Sequence, residues 1–179
     1  MNNKITFSQK ITSDNNLSIK IDLVEKISDI NTNIFLKEYK ISNFFYGKFF
    51  VKRLIKKIFK YHLDNKIIWD NDFWDKIKIS KFKTNIDLLN DNKDSIKKYF
   101  KKNINSKRLQ DIKKYQNYIN DKIDIGCPLY ITSTCINILG GDLKNNEVFI
   151  LDGSRRLLAN IMNGLNPDIL LIDLSIYNE

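Results

Sequence analysis

A single histidine, His62, and two cysteines, Cys127 and Cys135, leave this chain little from which to build metal or nucleophile chemistry. A Ser-His-Asp relay or a histidine metal site would have to use His62, which sits on the apolar side of a basic amphipathic stretch. The two cysteines lack C-x-x-C or other metal-ligand spacing, and both lie among apolar neighbours, so they read as buried free thiols. No run of eighteen apolar residues is present, which excludes a single-pass helical span. The stretch Met1 to Lys10 lacks the apolar centre of a signal peptide, and a cytoplasmic location is the expectation. There is no internal repeat and no low-complexity linker.

What is present is lysine, and it is unevenly placed. Residues 1–125 hold 27 Lys and Arg against 15 Asp and Glu, a net +12, whereas residues 126–179 carry a net −3. The asymmetry predicts a basic region suited to a polyanion beside a mildly acidic module. With 179 residues, 42% of them hydrophobic, the chain is long enough for one domain with a real core, or a small domain plus an extension.

Residues 4–7 and 17–23 alternate loosely between apolar and polar around the turn-rich Ser13-Asp14-Asn15-Asn16, which predicts a β-hairpin. Residues 34–62 read as helical, broken near Ser42-Asn43 or Gly47, with Val51, Leu54, Ile55, Ile58 and His62 on one face and Lys52, Arg53, Lys56, Lys57 and Lys60 on the rest. Phe44, Phe45, Tyr46, Phe49, Phe50 and Phe59 interleave with these cations. Three readings fit: packing of the aromatic face in a core, nucleic-acid binding, or adhesion to an anionic membrane.

A short helix over 70–77 should turn Phe73, Trp74 and Ile77 inward, and a further helix or helix pair over 85–102 should bury Leu88, Leu89, Ile96, Tyr99 and Phe100. Ser106 is a natural N-cap for a helix carrying Leu109, Ile112, Gln116, Ile119 and Ile123, with Gly126 placed to stop it. From Cys127 the texture becomes strand, turn, helix, strand: Cys127–Ile131 entered through Pro128, a buried strand Glu147–Leu151, the turn Asp152-Gly153, a helix Ser154–Asn163 closed by Gly164, and the strand Asp168–Leu174. Strand, helix and strand in that order predict one α/β crossover unit. The fold class is α+β, with residues 1–105 a basic, mainly helical region containing the hairpin and residues 106–179 an α/β module.

The run Ile150-Leu151-Asp152-Gly153-Ser154-Arg155-Arg156 carries the chemistry. Glycine allows close approach of a ligand to the backbone, the first helical turn offers unpaired N–H groups at the positive dipole end, and arginines add forked donors for phosphate oxygens. Paired arginines in a first turn oppose the dipole unless something negative lies nearby.

With Gly164-Leu165, the closing strand and the lead-in Ile112, Tyr115, Ile119 and Gly126–Ile131, this segment resembles the ParB/sulfiredoxin superfamily over roughly residues 106–176. That superfamily places a G-x-x-R signature between a strand and a helix. ParB has Gly-Glu-Arg-Arg, binds CTP and clamps DNA; this chain keeps both arginines but has Ser154 for the glutamate. Sulfiredoxins carry a reactive cysteine where Ser154 stands, so their chemistry is not expected here. Free-serine kinases of this fold have Asp-Gly-His-His-Arg; Asp152, Gly153 and Arg156 match, while Ser154 and Arg155 replace both histidines. ParB's DNA-reading module follows its nucleotide domain, and no helix-turn-helix follows Arg155-Arg156 here.

The resemblance implies a nucleotide-binding module acting as a kinase or NTPase on a small-molecule acceptor. ATP, ADP or CTP would be held by Gly153, Ser154, Arg155 and Arg156. Asp152 would be the catalytic carboxylate, positioning a hydroxyl or holding Mg²⁺. Asp142 and Glu147 are the nearest second carboxylates, and Gly140-Gly141 reads as a turn. The alternative function is a DNA-binding accessory protein using the basic N-terminal helix, with nucleotide as a switch or absent.

Overall fold

The computed structural model describes residues 5–10, 18–38, 40–41, 44–45, 48–59, 71–89, 98, 102 and 106–174. The fold is α+β with a mixed sheet. In chain order the elements are β1 (Thr6–Lys10), β2 (Ser18–Ile30), α1 (Thr32–Glu38), β3 (Lys40–Ile41), β4 (Phe44–Phe45), α2 (Lys48–Ile58), α3 (Asn71–Lys76) and β5 (Ile77–Leu89). They continue as α4 (Lys107–Asn120), β6 (Leu129–Thr132), α5 (Ser133–Ile138), β7 (Val148–Asp152), α6 (Ser154–Met162) and β8 (Ile169–Leu174). Six strands hydrogen-bond in the order β1-β2-β5-β8-β6-β7, and β3 and β4 form a separate pair.

By contact density the chain divides into two units. One comprises Met1–Lys26, Phe82–Pro128 and Gly153–Ile169; the other comprises Ile27–Lys81, Leu129–Asp152 and Leu170–Glu179.

In the first unit, the expected hairpin forms, β1 pairing antiparallel with β2 from Thr6↔Asp22 to Lys10↔Ser18. Phe7, Ile19 and Ile21 are buried, as alternation requires. The helix expected from residue 85 does not begin there: residues 85–89 continue β5. Thr84 donates to the Pro167 carbonyl and the Ile86 N–H to the Asn166 side chain, so partners about eighty residues away hold this segment extended. Ile96, Tyr99 and Phe100 lie outside the described residues.

Ser106 caps α4 as expected, its hydroxyl accepting from the Leu109 N–H. Ser106→Ala should cost about 1 kcal/mol in urea denaturation. Leu109 and Ile112 are buried, but α4 ends at Asn120 rather than at Gly126, and Ile123 is 49% exposed. Lys122 takes φ 58, and the Ile123 N–H reaches back to the Tyr118 carbonyl while the Lys122 N–H reaches Ile119. This is a Schellman stop with lysine in the left-handed position where glycine is usual. α6 ends the same way, with Gly164 at φ 70 and the Leu165 N–H on Asn160.

In the second unit, the single broken helix expected over 34–62 resolves into α1, the β3–β4 pair and α2. Residues 42, 43, 46, 47 and 60–70, including His62, lie outside the described residues, as do the side chains of Phe44, Phe45, Phe49 and Phe50. The buried stripe of α2 is Val51, Ile55 and Phe59; Ile58, placed inward by periodicity, is 41% exposed. Phe59 meets Phe149 of β7 edge-to-face at 5.1 Å. α3 buries Phe73 and Trp74, and Ile77 opens β5. The region expected to be mainly helical therefore supplies β1, β2 and β5.

β6 pairs parallel with β8 and antiparallel with β7. β7 and β8 therefore run in opposite directions with β6 between them, and strand–helix–strand here is not a βαβ crossover. The parallel pair is β6–β8, whose long connection contains α5, β7 and α6. β7 is an edge strand, and only Leu151 in it is buried, not the whole of it as expected. β8, apolar throughout its centre, is buried from Ile169 to Ile172.

The thiols differ. Cys135 is fully buried and Cys127 only half so. Burial pushes the Cys135 thiol from its ordinary 9.0 up to about 12. The unfolded chain then loses this proton near pH 9 while the folded chain keeps it. Stability should fall as pH rises between about 9 and 12, by at most about 1.4 kcal/mol per pH unit from this group. Burial also raises the Tyr130 phenol, which acts in the same direction at higher pH. Maleimide labelling at neutral pH should modify Cys127 first and Cys135 only on unfolding; equal rates would contradict the burial.

Candidate functional site

The G-x-x-R segment opens α6 in the first unit. Gly153 adopts φ 90 and ψ 15, the left-handed region that favours glycine, and its carbonyl accepts the first helical bond, from the Leu157 N–H at 2.8 Å. A Cβ at position 153 would lie 2.8 Å from the Pro128 Cα and 3.0–3.1 Å from the Arg156 guanidinium. Being glycine, the cap residue has no side chain to satisfy the first-turn N–H groups.

Arg156 is 8% exposed. Its Nη1 donates to the Ile125 carbonyl at 3.2 Å, and a Cβ at Gly126, itself at φ 72, would stand 2.9 Å from that nitrogen. The guanidinium therefore lies in a slot kept open by two glycines, one before β6 and one before α6. Sequence reasoning identified both residue types and missed their joint use: Gly126 serves as clearance for Arg156 rather than as a helix stop.

Arg155 points elsewhere. Its Nη1 is 3.2 Å from Asp111 Oδ2 on α4, with both side chains partly exposed. Asp111 is thus the negative group near a first-turn arginine, and no sequence signal had marked it. Farther along the same helices, Gln116 donates to Asn163 at 2.9 Å and Asn163 donates to Asn120 at 3.2 Å. Early residues meet early and late meet late, so α4 and α6 run in the same direction and bring both positive dipole ends to one end. Neither first turn carries an acidic residue. Arg108, in the first turn of α4, has a buried Nε without a hydrogen-bond partner among the described residues.

Ser154, half-buried, is the first residue of α6. Asp152 belongs to the second unit, where it closes β7 opposite Leu129. The register passes from Tyr130↔Ile150 to Leu129↔Asp152, leaving Leu151 as a bulge that breaks the strand's alternation just before the carboxylate. Asp142 and Glu147 are exposed, and the Glu147 backbone exchanges hydrogen bonds with Ser133. Gly140-Gly141 is the turn expected, ending α5 with Gly140 at φ 87.

Among the described residues no three His, Cys, Asp or Glu side chains converge to hold a metal ion, and no helix is long and apolar enough to cross a membrane. Magnesium in phosphoryl-transfer sites uses one or two carboxylates plus phosphate oxygens and water, a donor set to which Asp152 could contribute one ligand. No protein-family model, curated protein or solved structure matches the chain.

Proposed function

We propose that the chain binds a nucleotide through its phosphates at the N-terminus of α6, as a ParB/sulfiredoxin-like kinase or NTPase acting on a small-molecule acceptor. The observation that carries this reading is the glycine-capped first turn of α6 with the Arg156 fork held against it. The parallel N-terminus of α4 supports it: two aligned dipoles bearing Lys107, Arg108, Arg155 and Arg156 repel one another, and an anion relieves the repulsion.

In this reading the N–H groups of the first turn and the Ser154 hydroxyl donate to the phosphate oxygens. Arg156 supplies fixed positive charge beside Gly153. Arg155, on the exposed side, exchanges Asp111 for phosphate. Asp152, the residue before Gly153 in the chain, would orient the attacking hydroxyl or water. A bound Mg²⁺ would neutralise phosphate charge, with Asp152 as its protein ligand.

Calorimetric titration with ATP, ADP and CTP, with and without Mg²⁺, tests the proposal. At least one nucleotide should bind saturably. Asp111→Asn should tighten it by up to about fivefold, because a partly exposed ion pair worth up to about 1 kcal/mol no longer competes for Arg155. Absence of binding by all three nucleotides refutes the reading.

A further inference from the structure

We infer that the outward face of α2 binds the phosphate backbone of a nucleic-acid duplex without reading its sequence. Residues 39–63 hold seven Lys and Arg and no Asp or Glu. Within the helix, Arg53, Lys56 and Lys57 are exposed and stand three and four residues apart, which places them on one side. None of the three has an acidic partner among the described residues.

The occupant follows from what the opposite face is doing. A membrane-surface helix needs a free apolar face to bury among lipid chains. In α2 that face is already committed, since Val51 and Ile55 are 0% and Phe59 2% exposed, with Phe59 against Phe149. Phe59 is likewise not available to stack on a base. Among the described side chains the outward face of α2 then offers mainly charge, with Ile58 its exposed apolar residue, and a duplex backbone is a dense array of regularly spaced negative charge with its bases stacked inside.

The test is fluorescence anisotropy of the full chain with a labelled duplex DNA of about 20 base pairs, over salt from about 20 to 200 mM. Three neutralised phosphates predict a log–log salt slope of about −2.7, and Lys56→Gln with Lys57→Gln should bring it to about −0.9. Both side chains are exposed, so the double variant should melt close to the parent, which a thermal scan checks. Vesicles with about 30% phosphatidylserine form the second arm and should bind far more weakly. No DNA binding at about 20 mM salt, an unchanged slope in the double variant, or vesicle binding in place of DNA binding overturns the inference. The assay uses no nucleotide, so its failure is separable from failure of the α6 site.

Discussion

Arg156→Ala should remove nucleotide binding and also lower stability by about 2–3 kcal/mol. The stability loss comes first from the charged hydrogen bond to the Ile125 carbonyl, worth about 1.5–3 kcal/mol. The space between Gly126 and Gly153 is then left without the group it was shaped for. In a chain of 179 residues that loss lowers the melting temperature by about 5–10 °C. Because a structural and a binding role are superposed here, the two must be read separately. Binding should be titrated well below the variant's own melting temperature. Arg156→Lys keeps the charge and loses the fork, so it should recover part of both the stability and the affinity. If Arg156→Ala binds nucleotide as tightly as the parent while folded, phosphate recognition does not occur at α6. If its stability is unchanged, the guanidinium does not bridge Ile125 and the helix.

Gly153→Ala should cost about 3 kcal/mol, well above Gly164→Ala at about 1–2 kcal/mol. Both glycines have positive φ, 90 and 70, so the left-handed strain of an L side chain is common to both. The difference is space. A Cβ at Gly164 meets nothing within 4 Å, whereas one at Gly153 would stand 2.8 Å from the Pro128 Cα, a backbone atom that cannot swing away. Subtracting the two costs, measured by urea denaturation, isolates the clash. Equal costs would mean that Pro128 does not press on the α6 turn. Gly126→Ala should fall between them, since its obstacle at 2.9 Å is the end of the Arg156 side chain.

The α6 motif was legible because its parts are neighbours in the chain. Asp152, Gly153, Ser154, Arg155 and Arg156 are consecutive, and a strand followed by glycine and a first helical turn has few backbone solutions. What surrounds the motif was not legible. Asp111 is an ordinary helix-surface aspartate in periodicity terms, and only the packing of α4 beside α6 makes it the partner of Arg155. Gly126 fits a helix-stop rule, yet α4 stops at Asn120 through Lys122, a residue no propensity would select. The misread helix at 85–89 has the same origin. Its Leu88-Leu89 pair suits a helix, but β5 continues through it because Pro167 and Asn166 supply partners.

By itself the sequence determined the local signals: the β1–β2 hairpin, the Ser106 cap, the Gly164 stop, the apolar centre of β8 and the turn at Gly153. Each is set by residues within a few positions, through backbone sterics and short-range hydrogen bonds. Only the tertiary structure decided that β7 and β8 run antiparallel with β6 between them, that Val51 and Ile55 of α2 are buried while Arg53, Lys56 and Lys57 stay outside, and that Arg156 fits between two glycines 27 residues apart. Those outcomes depend on which distant surfaces exclude water together, and periodicity along one segment carries no record of its partner.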